Sequence, residues 1–384
     1  TIDEVLTVGE TVQADTAVAS TVTAPVFSTT LYKGNSSSGG SGQTQNVDTG
    51  INLDDGDGLI IFKQRTGSQP WRWHDTIRGI DYALESHNDG AQFQTDQVSV
   101  NSTGFTVGAQ FAYNQISGVD PNNLEKHVAW TFRKAPGFFD IVTWSGNDVR
   151  NRAIPHSLGT TPGCIIVKEL GTREWYVYHS GSNIPWTGGT TEGDTSGSSD
   201  TGALVLDKTD AFNSSWGIFT YANSTAFGVW RSNSELNYSG GNYVAYVFAD
   251  DTPGLIKCGS YSGNGSTQTI DCGFKPEWVM IKKTNGPDSW EIWDSARNNA
   301  TGHTPYLAPN NDGSEIARYG QIQFTSNGFT SNGTDDTNGS GREFIFIAIA
   351  ENAEADITSD IYASGTVSAS SGNTITLSNT SGTW

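Results

Sequence analysis

Leu59-Ile60-Ile61-Phe62-Lys63, Cys164-Ile165-Ile166-Val167-Lys168 and Trp278-Val279-Met280-Ile281-Lys282 are three versions of one phrase, a short apolar run closed by lysine. Runs this short, dense in β-branched and aromatic side chains, read as central, buried β-strands. Seven or eight positions beyond each lysine comes a tryptophan phrase: Trp71-Arg72-Trp73-His74-Asp75, Trp175-Tyr176-Val177-Tyr178-His179 and Trp290-Glu291-Ile292-Trp293-Asp294. That interval fits the return strand of a hairpin.

Working outward, each copy opens on a strand running into a Gly-Asn turn: Leu31-Tyr32-Lys33-Gly34-Asn35, Val142-Thr143-Trp144-Ser145-Gly146-Asn147, and Gly259-Ser260-Tyr261-Ser262-Gly263-Asn264-Gly265. Each passes through Gly, Ser, Asn and Thr to a Gly-Phe type strand near Gly104-Phe105, Gly217-Ile218-Phe219 or Gly328-Phe329. Each closes on an alternating apolar strand: Val128-Ala129-Trp130-Thr131-Phe132, Val244-Ala245-Tyr246-Val247-Phe248 and Ile345-Phe346-Ile347-Ala348-Ile349. A repeat of roughly 110 residues is too long for a solenoid and fits a two-sheet sandwich. The expected fold class is all-β: three tandem β-sandwich, jelly-roll-like modules at 27–136, 137–252 and 253–351. Extended arms, 1–26 and 352–384, flank them; the alternation in Thr374-Ile375-Thr376-Leu377 is strand-like, and the arms are expected to add strands to a neighbour's sheet edge.

Composition agrees with that class. Of 384 residues, 45 are Gly, 12 Trp, 13 Tyr and 17 Phe, a balance of short strands and turns. A net charge of −20 with only 21 Lys and Arg excludes nucleic acid as a partner, because phosphate binding is built on clustered cations. Three cysteines, Cys164, Cys258 and Cys272, are no disulfide framework and fit a reducing cytoplasm, although Cys258 and Cys272 bracket an apparent hairpin at Asn264-Gly265 and could bridge it. No apolar run is long enough for a membrane span. The opening Thr-Ile-Asp-Glu lacks signal-peptide regions, and a first residue of Thr leads us to expect processing upstream.

Three longer phrases carry a resemblance. They are Val128-Ala129-Trp130-Thr131-Phe132-Arg133-Lys134-Ala135-Pro136-Gly137-Phe138-Phe139-Asp140; Ile154-Pro155-His156-Ser157-Leu158-Gly159 with Pro162-Gly163-Cys164-Ile165-Ile166-Val167-Lys168; and Ile256-Lys257-Cys258-Gly259-Ser260-Tyr261-Ser262-Gly263-Asn264-Gly265. Residues 27 to 351 resemble the repeated Trp-rich β-modules of uncharacterised structural proteins of tailed bacteriophages, especially marine and cyanobacterial ones. The resemblance implies a virion protein assembled in the host cytoplasm and carries over no catalytic or binding residue. The second copy departs from the others by Val177, where they have Trp73 and Ile292, and by a polar insertion at Thr187 to Thr201.

Chemistry-bearing patterns are sparse, and no enzyme is expected. Gly39-Gly40-Ser41-Gly42 has no helix after it to make a nucleophile elbow. His74, His156 and His179 lack metal-ligand spacing and read as caps of backbone groups. Asp54-Asp55-Gly56-Asp57 has the carboxylates of a calcium loop without its later glutamate, so no cofactor is expected beyond Ca²⁺ held between subunits of so acidic a chain. Trp71 with Asp75, and Trp290 with Trp293 and Asp294, have the composition of a sugar platform or an interface contact, because sugar faces stack on indoles while carboxylates accept hydroxyl protons. Their recurrence at one position per copy favours core packing, with Asp75/Arg78 and Asp294/Arg297 as surface or interface pairs. The leading expectation is a virion structural protein, decorating the capsid or forming a tail appendage. Its partners would be other virion proteins and further copies of itself in a symmetric homo-oligomer such as a trimer. A receptor-binding tail fibre for host glycans comes second and a tailspike glycosidase third.

Overall fold

The computed structural model describes residues 17–36, 43–114, 126–182, 202–214, 218–230, 236–298, 303–319, 321–332, 335–362, 366–371 and 374–378. The Gly39–Gly42 turn, Gly217 and the whole of the Thr187–Thr201 insertion lie outside them, as do residues 1–16. Regular structure is almost entirely antiparallel β; the described helices are two of four residues and one 3₁₀ turn.

Three large sheets share a four-strand order. In the first, the opening strand Phe27–Lys33 is followed by the closing strand Lys126–Arg133, the lysine strand Gly58–Gln64 and the tryptophan strand Arg72–Asp75; Tyr82–Leu84 and Phe93–Gln94 extend the edge. The second runs Phe139–Ser145, Asn242–Ala249, Pro162–Glu169, Trp175–His179, then Leu204–Val205. The third runs Ile256–Ser262, Glu343–Ala350, Pro276–Lys283, Glu291–Asp294, then His303–Leu307 and Ile316–Tyr319, with Asp251–Thr252 outside its opening strand. Lysine and tryptophan strands pair directly in all three, as their spacing requires. Because Asp251–Thr252 pairs with Ile256–Ser262, the third sheet begins ahead of the expected limit at residue 253.

A three-stranded sheet accompanies each large one: Gln45–Asp48, Gly104–Val107, Val98–Asn101; Arg152–Pro155, Ala226–Val229, Phe219–Ala222; and Thr267–Asp271, Gly328–Asn332, Ile322–Thr325. Val47, Phe105 and Val107 of the first small sheet form one apolar cluster with Ile60, Phe62 and Ala129 of the first large sheet, and Ile270 and Phe329 do the same with Val279, Ile281 and Phe346 in the third. In the second, the central position belongs to Phe227, which pairs with Ile154 as Phe105 pairs with Val47. The counterpart of Gly104-Phe105 is thus Ala226-Phe227 rather than Gly217-Ile218-Phe219. Asn264-Gly265 is likewise no hairpin: Ile256–Ser262 and Thr267–Asp271 lie in different sheets, so the turn is a corner between them. Cys164, Cys258 and Cys272 are all buried free thiols, and burial pushes each of them up from its ordinary range.

The closing strands are buried on both faces, not alternately: every residue after the first is buried in Lys126–Arg133, Asn242–Ala249 and Glu343–Ala350. One face meets the small sheet, and the other meets the neighbouring large sheets. The Phe132 ring lies 5.8 Å from Phe248 and 6.0 Å from Trp278, so side chains of all three large sheets meet there. The joints are tight as well. Pro136-Gly137 and Pro253-Gly254 put glycine at φ 70° and 75°, the left-handed region that the third position of a Pro-Gly turn demands. Accordingly Pro25–Ala355 is one compact unit.

The flanks form a second unit, described by itself. Ala17–Pro25 pairs with Glu354–Tyr362, with Thr23 Oγ1 donating to Asp356 Oδ1 at 2.8 Å, and Thr366–Ser371 pairs with Thr374–Ser378. Strands of the two flanks therefore pair with each other. A fragment spanning residues 25–355 should unfold in one cooperative calorimetric transition whose van't Hoff and calorimetric enthalpies agree; three resolved transitions would mean three independent cores.

Candidate functional site: the interlocked seams

The Trp, Lys and Asp positions singled out by the repeat converge on the seams between the large sheets. The chain between the tryptophan strand and the small sheet makes one loop per copy, 85–92, 205–212 and 308–315, and each loop is gripped by the large sheet of another copy. Trp175 Nε1 donates to Glu85 O at 3.1 Å and Asn88 O at 3.2 Å; Trp290 Nε1 donates to Val205 O at 2.9 Å; Trp71 Nε1 donates to Ala308 O at 3.0 Å and Asn311 O at 2.8 Å. The second copy grips the first, the third grips the second, and the first grips the third. The relation is cyclic.

The strand-closing lysines act in the same direction. Lys168 Nζ donates to Asp89 O, Lys282 Nζ to Thr209 O at 3.0 Å and Lys63 Nζ to Asp312 O at 3.0 Å, while each also binds carbonyls of its own copy: Glu169 and Gly171, Asp288, and Gln64 and Gly67. All three are fully buried, and burial pulls each ammonium down to about 8. Backbone bonds complete the grip two residues beyond each lysine: Gln92 N to Leu170 O (3.0 Å), Phe212 N to Thr284 O (2.8 Å) and Glu315 N to Arg65 O (2.9 Å). Loop carbonyls enclosed in a seam lose water, and ammonium and indole donors replace it. Sequence reading placed the lysines at strand ends and missed this role; their recurrence after three apolar runs was the available signal.

Trp71, Asp75, Trp293 and Asp294 are fully buried, and Trp290 is 2 % exposed. No indole face among them is open to a sugar ring, and neither acid is a surface residue. Asp75 Oδ2 accepts from Arg78 Nε at 2.5 Å and from the Tyr246 hydroxyl of the second copy at 2.8 Å. Asp294 Oδ2 accepts from Arg297 Nε at 2.6 Å and from Trp130 Nε1 of the first copy at 3.1 Å. These are buried ion pairs bridged across seams, where loss of one partner strands the other charge. The second copy has His179 at this position, and its Nε2 meets Phe346 O of the third copy at 3.0 Å while Nδ1 accepts from Gly181 N. Burial lowers His179 to about 4, so it is neutral at pH 7, with Nε2 carrying the proton. Like His179, His74 and His156 face backbone carbonyls, those of Ile80 and Asn223.

In the acidic turn, Asp55 pairs with Arg133 at 2.9 Å and Asp57 accepts from Thr76 at 3.3 Å. Among the described residues, no three His, Cys, Asp or Glu side chains converge as metal ligands. The arrangement joins sheets and keeps water out of the seams.

Two consequences can be measured. Trp290→Phe keeps an aromatic ring and removes the indole donor to Val205 O, which should lower unfolding free energy by about 1–3 kcal/mol in a denaturant titration. Folded Lys63, Lys168 and Lys282 titrate near 8 and their unfolded counterparts near 10.5, so between pH 8 and 10 the unfolded chain binds more protons. Their contribution therefore raises stability with pH across that window, and Lys63→Met should flatten the slope of unfolding free energy against pH relative to the parent protein.

No curated protein and no solved structure matches the chain. A family model described as a domain of unknown function, DUF7483, matches residues 23–353, nearly the span of the compact unit Pro25–Ala355. The chain therefore belongs to the DUF7483 family, with all three gripping sheets inside the family's single domain.

Proposed function

We propose that this chain is a structural component of a tailed-phage particle, built of three tandem sandwich modules at 27–136, 137–252 and 253–351 whose large sheets close into a ring. The observation that carries the structural half of this reading is the cyclic interlock. The recurrent Trp, Lys and Asp positions are spent on holding three copies together, which serves a rigid building block. The phage half rests on the resemblance of residues 27 to 351 to repeated virion modules. A ring of three related modules in one chain has the internal contacts of a trimer, so it suits a particle position with threefold surroundings, on the capsid or in a tail appendage. A net charge of −20 keeps closely spaced copies from adhering nonspecifically.

Glycan recognition through Trp71, Trp290 and Trp293 is disfavoured by their burial. Immunogold labelling of purified particles with antibodies to residues 25–355 tests the proposal. Label on heads or tails is the expected result, and particles free of both label and the chain's peptides in mass spectrometry would overturn it.

A further inference from the structure

Phe93 is the one aromatic among the exposed large apolar residues of the described chain, at 36 % exposure. It lies on the edge strand Phe93–Gln94 of the first large sheet, paired with Ala83, and lines a groove of about 450 Å³ with Asp81, Gln94, Thr95, Asp96 and Gln110. The Arg72 guanidinium sits over the ring, 5.0 Å from its centroid, and is itself held by Glu85. One face of Phe93 is thereby backed by a fixed cation, and the side chain stays part-exposed to the groove.

The polar groups around the ring are also fixed. Gln94 Nε2 donates to Asp81 Oδ2 at 2.5 Å, Thr95 N donates to Asp81 O at 2.7 Å, and Gln97 ties the groove's far wall by donating to Asp96 Oδ1 and accepting from Gln110 N. Asp81 Oδ1 and Asp96 Oδ2 remain as acceptors, with the Gln110 amide beside them. In the third large sheet the position matching Phe93 is held by the aliphatic Ile316, which pairs with Tyr306 as Phe93 pairs with Ala83.

We propose that this groove binds a neutral or amino hexose oligosaccharide, one sugar ring stacking its C–H face on Phe93 while hydroxyl or ammonium groups donate to Asp81 and Asp96. Aromatic stacking supplies affinity, prefixed carboxylate and amide groups supply orientation, and little ordering remains to be done on binding. Anionic sugars are excluded by the two carboxylates. The site stands whether or not the chain is a particle component, since its geometry makes no use of that reading.

Saturation-transfer NMR and calorimetric titration of the full chain with maltohexaose, chitohexaose, chitosan hexamer and oligogalacturonate provide the test. At least one of the first three should bind, with oligogalacturonate silent. Phe93→Ala and Asp96→Asn, both at exposed positions and checked for an unchanged circular-dichroism spectrum, should each weaken binding about tenfold or more. No saturation transfer from any of the first three sugars, preferred binding of oligogalacturonate, or Phe93→Ala binding as tightly as the parent, would overturn the assignment.

Discussion

Backbone carbonyls drawn into the seams between sheets are the constraint on which the rest of this structure depends. Loops 85–92, 205–212 and 308–315 leave their own sheets and run against another copy, where their accepting oxygens are part-buried or buried. A bare carbonyl there costs about 1–3 kcal/mol, and several are enclosed in each loop. The answer in every copy is an indole N–H and a lysine ammonium from the gripping sheet, Trp71 with Lys63, Trp175 with Lys168, Trp290 with Lys282. An ammonium suits the task because it carries three donors on a flexible stem, while its methylenes pack among apolar neighbours. The cost is a buried cation, which is why all three lysines are drawn down to about 8.

That constraint explains what could be read in advance. The strand-and-return unit was legible because both signals are local: an apolar run, then a tryptophan phrase at hairpin distance. Burial of the closing strands on two faces was not, since alternation such as Val128-Ala129-Trp130-Thr131-Phe132 says only that one face is apolar and the next residue small or hydroxylic. Thr131 is buried all the same, because a second sheet covers its side. Asn264-Gly265 misled for a related reason. A Gly-Asn turn specifies a reversal of chain direction, and whether the next strand pairs with the previous one or crosses to the opposing sheet depends on contacts some seventy residues away, such as Gln268 Nε2 to Asn338 Oδ1 at 2.5 Å.

The candidate site residues were visible as recurrent positions, and their chemistry was not. Asp75 and Asp294 pair with Arg78 and Arg297 three residues on, as the spacing predicts, yet the partners that fix them to a seam, Tyr246 and Trp130, are 171 and 164 residues distant. His179 shows that the position, rather than the charge, is what the fold needs. An uncharged imidazole facing Phe346 O bridges its seam with no arginine at all. Replacing an ion pair by a neutral hydrogen bond avoids desolvating two charges, so the three seams are chemically unequal although geometrically related.

This inequality has a bearing on charge. Lys63, Lys168, Lys282, Lys283, Arg133 and Arg297 are buried, as is the side chain of Arg78, so a third of the 21 basic side chains is withdrawn from the surface into seams and core. Of their partners, Asp75 and Asp294 are withdrawn as well, while the three lysines are satisfied mainly by backbone carbonyls, which carry no compensating formal charge. Six acids, Asp75, Asp140, Glu169, Asp207, Glu291 and Asp294, are buried as well, so the outer surface keeps essentially the acidic balance of the composition. Cations that in another protein would solvate the surface or draw polyanions serve here as internal donors, and the same placement closes the grip of each copy on the next.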